Sequence, residues 1–373
     1  MKIKRLFAVV LASCLLAMPG IIPAVAHGPT LQPVSVAFQL TSDPHYDRNP
    51  TLFQARDGTW WLFFTRGLDS IGVRGLYGYD PDQDRYDIYY KTVGWQDGSF
   101  LGLPKATEKL LPGSDASHGQ RDVTALQASD GKIWVFSSTG FGPGENHIYY
   151  FTYGGVWQGP TPIPIEEPNW IGHINALSYE GKIWVFYDAE YSLKSIYYDG
   201  TWHGPFDIAA DATLGKAIVD RGKFYIVWAH LVAPDIWGDY IGLSTSSDGM
   251  AWTNHGKIMS WPGATNWDPV FIKDSDSFRL LWAPDAGNEG QFIATSDSHK
   301  PTDPTSWSTP VQVTTASYGN ENWWDFWPQP CKIWRGISRP LMLVYTSEGS
   351  SDGTKRIDGN IWLRLMFAFQ WSR

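Results

Sequence analysis

Asn49-Pro50-Thr51-Leu52-Phe53-Gln54-Ala55-Arg56-Asp57-Gly58 runs without a spacer into Thr59-Trp60-Trp61-Leu62-Phe63-Phe64, and this stretch decides the fold. Strand-forming residues lead to Asp-Gly, a pair suited to the left-handed backbone of a tight turn, and a second strand starts at once. From Trp60 to Phe64 that second strand is apolar at every position, so both of its faces need cover. The unit returns as Asp122-Val123-Thr124-Ala125-Leu126-Gln127-Ala128-Ser129-Asp130-Gly131, followed by Lys132-Ile133-Trp134-Val135-Phe136. It returns again as Ile174-Asn175-Ala176-Leu177-Ser178-Tyr179-Glu180-Gly181, followed by Lys182-Ile183-Trp184-Val185-Phe186. Fainter copies begin at Ala217, at Asp268 and near Asp325, and lead to Phe224–Trp228, Phe278–Trp282 and Leu341–Tyr345.

Outward from each hairpin the pattern continues. A third strand is read at Ile88-Tyr89-Tyr90, Ile148-Tyr149-Tyr150, Ile196-Tyr197-Tyr198, Tyr240–Leu243, Phe292–Ala294 and Ile361–Leu363. A Trp-led fourth segment follows at Trp157, Trp202, Trp252 and Trp307. A sheet with aromatic residues on both faces cannot stand alone in water, and radial stacking of such sheets buries both faces. The expected architecture is therefore all-β: a six-bladed β-propeller with four antiparallel strands per blade, five blades being the alternative because the sixth copy is the most degenerate. Val34, Val36, Phe38 and Leu40 alternate ahead of the first copy and have no hairpin mate nearby. They are expected to close the ring on the last blade.

The bulk composition agrees. Tryptophan (21), tyrosine (18) and phenylalanine (18) supply the burial that such a chain needs. Met1-Lys2-Ile3-Lys4-Arg5, the apolar run Leu6–Val25 and the ending Ala24-Val25-Ala26 describe a cleavable secretory leader over residues 1–26, leaving 27–373 as a single propeller domain. Leu11-Ala12-Ser13-Cys14 resembles a lipid-attachment box, but the apolar run continues past it. The implied location is secreted, periplasmic or at the cell surface. Cys331 is then the sole remaining cysteine, so stability rests on burial and not on disulfides. Losing Lys2, Lys4 and Arg5 takes the formal charge from −9 to about −12, which disfavours nucleic acid and anionic membranes and suits a neutral ligand. No later stretch is long and apolar enough to span a bilayer. A monomer is expected, and no cofactor, since the phosphate-cradling loop, the nucleophile elbow and the dinucleotide fingerprint are all missing.

Arg48-Asn49-Pro50, with Asp57-Gly58 after it, resembles the Arg-Ile-Pro signature and turn of the sialidase-like propeller superfamily of glycoside hydrolases. Ser246-Ser247-Asp248-Gly249-Met250-Ala251-Trp252 is similar to the Asp-box of BNR repeats, shortened by one residue. Such a box is a structural turn and argues for fold, not chemistry. The resemblance implies a ligand face built from the starts of the innermost strands and the loops after the second strands. It also implies a carbohydrate as partner.

Glycoside hydrolysis needs one proton donor for the leaving oxygen and a second carboxylate, or an activated tyrosine, to meet the oxocarbenium-like centre. The resemblance places Asp69 as general acid/base and Arg48 as a forked hydrogen-bond donor to the sugar. Asp122, Asp268 and Asp325 at strand starts offer a carboxylate set like that of arabinanase and xylosidase propellers, with Asn49 where their general base would stand. Tyr345 is the candidate nucleophile, with a core tyrosine as its bland alternative. Substrate contacts are expected from Arg66, Arg121, His173, Lys216, His230, Trp267, Trp324 and Asp325. No histidine pair has metal-ligand spacing. A sialidase also needs two further arginines, where this chain offers Lys216 and Asp268, so a different sugar is implied. A non-catalytic carbohydrate-binding propeller and a propeller polysaccharide lyase remain open beside the hydrolase.

Overall fold

A computed structural model describes residues 31–42, 47–67, 86–94, 100–115, 120, 122–138, 147–165, 167, 171–232, 236–274, 276–285, 292–314, 324–332, 341–349 and 358–368. The leader expected at 1–26 lies outside these residues. Six four-stranded antiparallel sheets follow one another along the chain. Blade one holds β2 (Asp47–Gln54), β3 (Trp60–Gly67), β4 (Tyr86–Val93) and β5 (Lys109–Leu110). Blade two holds β6 (Asp122–Gln127), β7 (Ile133–Ser138), β8 (Ile148–Tyr153) and β9 (Trp157–Pro162). Blade three is β10 (Ile171–Tyr179), β11 (Lys182–Ala189), β12 (Ser192–Tyr198) and β13 (Trp202–Ala210). Blade four is β14 (Ala212–Asp220), β15 (Lys223–Val232), β16 (Ile236–Ser246) and β17 (Thr253–Met259). Blade five is β18 (Thr265–Asp274), β19 (Ser277–Asp285), β20 (Ala294–Ser298) and β21 (Val311–Gln312). Blade six is β22 (Trp324–Lys332), β23 (Leu341–Gly349) and β24 (Asp358–Ala368), completed by β1 (Leu31–Gln39).

The innermost strands β2, β6, β10, β14, β18 and β22 each touch the next, and β22 touches β2, so the ring is six-bladed and closed. Closure is a strand exchange. β1 pairs antiparallel with β24, Phe38 opposite Leu363 and Leu31 opposite Ala368, and a bulge lies between Pro33 and Ala37. The two ends of the ring thereby share one sheet, with β1 as its outermost strand.

The opening hairpins repeat down to their hydrogen bonds. Asp57 Oδ1 accepts from Thr59 N (2.9 Å) and Asp130 Oδ1 from Lys132 N (3.0 Å). Gly58 and Gly131 both sit at φ 89°, a region open to glycine. The Gln127 side chain then accepts from Arg56 N (2.8 Å), tying blade two to the turn of blade one. Between blades the second strands are sealed by aromatic packing: Trp61 of β3 meets Tyr153 and Trp157 of blade two, and Trp134 of β7 meets Tyr198 of blade three.

Ser246–Trp252 forms the tight turn read from the sequence. Ser246 Oγ accepts from Gly249 N (2.8 Å), Asp248 Oδ1 accepts from Met250 N and Ala251 N (2.8 and 2.9 Å), and Trp252 Nε1 donates to Gly249 O (2.9 Å). Blade five departs from expectation. Its fourth strand starts at Val311, not at Trp307, because Trp307 follows a 3-10 turn (Pro304–Ser306) capped by Asp303 and turns inward against Phe271.

Candidate functional site

At one end of the channel five of the six innermost strands share a defect. The register of β2, β10, β14, β18 and β22 shifts two or three residues after the strand begins, between Arg48 and Thr51, Gly172 and Asn175, Thr213 and Lys216, Trp267 and Val270, and Phe326 and Gln329. At four of these shifts a non-glycine residue takes a left-handed backbone: Asn49 (φ 51°), His173 (46°), Leu214 (59°) and Asp268 (49°). Such positions store strain and re-aim side chains, and their recurrence at the same end of four blades marks this end of the ring as the candidate site.

The re-aimed groups reach from blade to blade. Asn49 of β2 donates its amide to Asp122 Oδ1 of β6. Asp122 Oδ2 accepts from the backbone N of His173 (2.7 Å) and from Ser138 Oγ (3.3 Å). In blade three His173 Nδ1 lies 2.7 Å from Asp188 Oδ2, at the end of β11. The same oxygen accepts from Thr213 Oγ1 and from Leu214 N (2.9 Å) of β14. Asn175 Oδ1 accepts from Ala217 N (2.9 Å), and Lys216 Nζ donates to Ile174 O (3.4 Å).

The charges interact across the channel. Burial lowers the imidazolium pKa of His173, but the Asp188 hydrogen bond and the charges of Asp188, Asp122 and Asp268 outweigh it, so His173 titrates above the ordinary histidine value. Burial lowers the Lys216 ammonium pKa, and the charges of Asp122, Asp268 and Asp188 only partly restore it. Three carboxylates and two basic groups from four blades therefore share one field. Asp188 is fully buried and Asp268 is 5 % exposed, while His173 keeps 21 % of its side chain exposed.

The remaining residues singled out from sequence fall in different places. Arg66 lies at this end too, in a buried clasp: its guanidinium grips Asp47 with Nε and Nη2 (2.6 and 2.8 Å) and reaches Glu108 (2.7 Å), which also holds Lys91 (3.0 Å). Burial pushes the Asp47 carboxyl up to about 6 despite Arg66, and the Arg66 pKa is raised. Arg48 is buried with its guanidinium 4.1 Å over the Tyr86 ring. His230 pairs with Asp239 (2.6 Å) and stacks on Tyr240 (4.2 Å) at the end of β15. Trp267 packs against the blade four–blade five core. Tyr345 is 1 % exposed, among Val270, Leu281, Leu343 and Trp362 between blades five and six, which is the core placement. Trp324 and Asp325 begin β22. Asp69 and Arg121 lie outside the described residues.

Sequence reading missed Thr213 and the amide of Asn49 as parts of this network. Neither carries a local signal, because each finds its partner one blade away.

No protein-family model and no curated protein matches this sequence. Among solved structures, a protein of unknown function from Dyadobacter fermentans superposes with a TM-score of 0.62 at 14% identity, covering 91% of this chain and 99% of that one. The Hadza microbial sialidase Hz136 superposes with 0.54 at 14% identity, over 86% of this chain and 65% of that one. The Trypanosoma rangeli sialidase, solved as a covalent intermediate with 2,3-difluorosialic acid, gives 0.58 at 11% identity, over 86% and 54%. The chain thus spans about two thirds and half of the lengths of those two sialidases. It shares their propeller fold.

Proposed function

We propose that this chain is an exported glycoside hydrolase of the sialidase-like propeller type, cleaving a glycan at the channel end where the bulged strand starts meet. The single observation that carries the reading is the convergence of Asp122 and Asp268 with His173 and Lys216 on one field from four blades. Perturbed titratable groups gathered at a strained rim are the usual signature of a functional site. Hydrolysis needs a carboxylate at the anomeric centre and a proton donor opposite it. Asp122, already addressed by donors from Asn49, His173 and Ser138, supplies an oriented acceptor for a water proton. Asp268 faces the developing positive charge. Asp69 is the sequence-based candidate for the donor. Lys216 and Asp268 stand where a sialidase would place arginines, so a neutral sugar fits better than sialic acid. The leader-like residues 1–26 support export.

Sugar release is the test. Wild type is incubated with neutral oligosaccharides, plant and microbial polysaccharides and sialosides, beside Asp122→Asn and Asp268→Asn. Release of a neutral sugar by wild type, cut about a thousandfold or more per folded molecule in both variants, is expected. Binding without release would instead make the chain a carbohydrate-binding propeller. An absorbing unsaturated uronic acid product would make it a lyase.

A further inference from the structure

We infer that His173, fixed by Asp188, is the proton donor to the departing glycosidic oxygen. The inference rests on the hydrolase reading above and names the donor within that site. Asp188 is fully buried and spends Oδ2 on His173 Nδ1, Thr213 Oγ1 and Leu214 N; its Oδ1 has no hydrogen-bond partner among the described residues. Thr213 and Leu214 are neutral donors, so the charge bonded to Asp188 is answered by the imidazole ring. A buried carboxylate on Nδ1 fixes the ring's orientation and favours its protonated form. The main chain fixes the ring from the other side: His173 N is held by Asp122 Oδ2 at 2.7 Å, and φ is 46°. With Nδ1 committed to Asp188, proton exchange with a ligand runs through Nε2.

Among the described residues, the charges acting on His173 are the carboxylates of Asp188 on β11, Asp122 on β6 and Asp268 on β18, and the Thr213 hydroxyl from β14 lies 3.2 Å from its Nδ1. Lys216 on β14 shares the same three carboxylates. The step balances. The Nε2 proton passes to the glycosidic oxygen as the carbon–oxygen bond breaks, and the electron pair of that bond stays on the oxygen. Water adds to the anomeric carbon and gives its proton to Asp122. That proton returns to the imidazole through solvent. Asp188 is a positioning residue, since it acts through the ring.

The test uses the full chain, a disaccharide that wild type cleaves and the 4-nitrophenyl glycoside of the same sugar, whose leaving group needs little protonation. His173→Gly suits a positive φ and leaves room for added imidazole. Disaccharide turnover is expected to fall by about a hundredfold to ten-thousandfold, the nitrophenyl glycoside far less, with partial rescue by imidazole. Asp188→Asn moves the alkaline limb of the pH–rate profile to lower pH. Equal losses on both substrates without rescue, or a wild-type rate in His173→Gly, overturn the inference while leaving the hydrolase reading standing. A ring-nitrogen NMR titration is independent of substrate: His173 stays protonated above about pH 6.5, the ordinary histidine value, and loses that margin in Asp188→Asn. A ring neutral from pH 6.5 upward in wild type overturns it too. Failure of wild type to cleave any glycan would remove the hydrolase reading instead, and the titration would still decide whether the dyad holds a proton.

Discussion

Two sets of buried and half-buried charge sit at the same end of this propeller, and they are built on different plans. In the clasp of blade one, Asp47 and Glu108 face Arg66 and Lys91, and each ion has a named counter-ion within 3.0 Å. Lys91 also donates to Leu40 O (2.7 Å), fastening the chain that leaves the closing strand. In the channel, Asp122, Asp188 and Asp268 act jointly on both His173 and Lys216, and Asp188 also meets His173 Nδ1 at 2.7 Å. A buried pair with matched geometry holds elements together, whereas titratable groups shifted by several shared charges are the kind that gather at functional sites. The difference separates a charge that fastens blades from one that works on a substrate, although both occur at strand starts and look alike in sequence.

The comparison breaks most visibly at Arg66. Arg66→Met leaves Asp47 buried without its forked partner and should cost about 3–5 kcal/mol, read by denaturant unfolding. Adding Asp47→Leu should return most of that loss, since a well-packed apolar pair can replace a buried ion pair. A double variant as unstable as Arg66→Met would show that the clasp does more than pair charge. Next in size is Thr213→Val, which removes a donor from Asp188 Oδ2 at nearly constant shape. It should cost about 1–2 kcal/mol of stability and shift the pH at which His173 loses its proton. A stability loss with no change in titration would place Thr213 with the fasteners.

The smallest effect is the pH dependence of stability. The folded pKa of His173 lies above its unfolded value of about 6.5, so its stabilisation is complete below that pH and is lost as pH rises through the folded pKa. Lys216 acts in the opposite sense at higher pH, because its folded pKa is depressed. The wild type minus His173→Gln difference in unfolding free energy isolates the histidine, and should decline with rising pH above about 6.5. A flat difference would mean that the Asp188 contact leaves the ring's titration unmoved.

Much of the fold was legible because hairpin, turn and apolar strand recur in register: Asp57-Gly58 and Asp130-Gly131 predict turns that the structure shows with the same bonds. The closing role of Val34–Leu40 was legible from its lack of a local mate. Blade five was read wrongly at Trp307, because a tryptophan that packs under a 3-10 turn looks the same in sequence as one that opens a strand. The rim was legible in outline, since the phase of the repeat puts Asp122, His173, Lys216 and Asp268 at strand starts. The sorting of the rim was not. That Arg66 closes on Asp47 and Glu108, while Asp188 collects His173, Thr213 and Leu214, depends on contacts between blades that no local pattern encodes.

The most direct measurement sets Asp47→Asn beside Asp268→Asn, recording melting midpoint and glycan release for each. The account predicts a crossed result: Asp47→Asn loses stability and keeps release per folded molecule, whereas Asp268→Asn keeps its midpoint and loses release. If both variants lose the same property, the division of these buried charges into fasteners and working groups is contradicted.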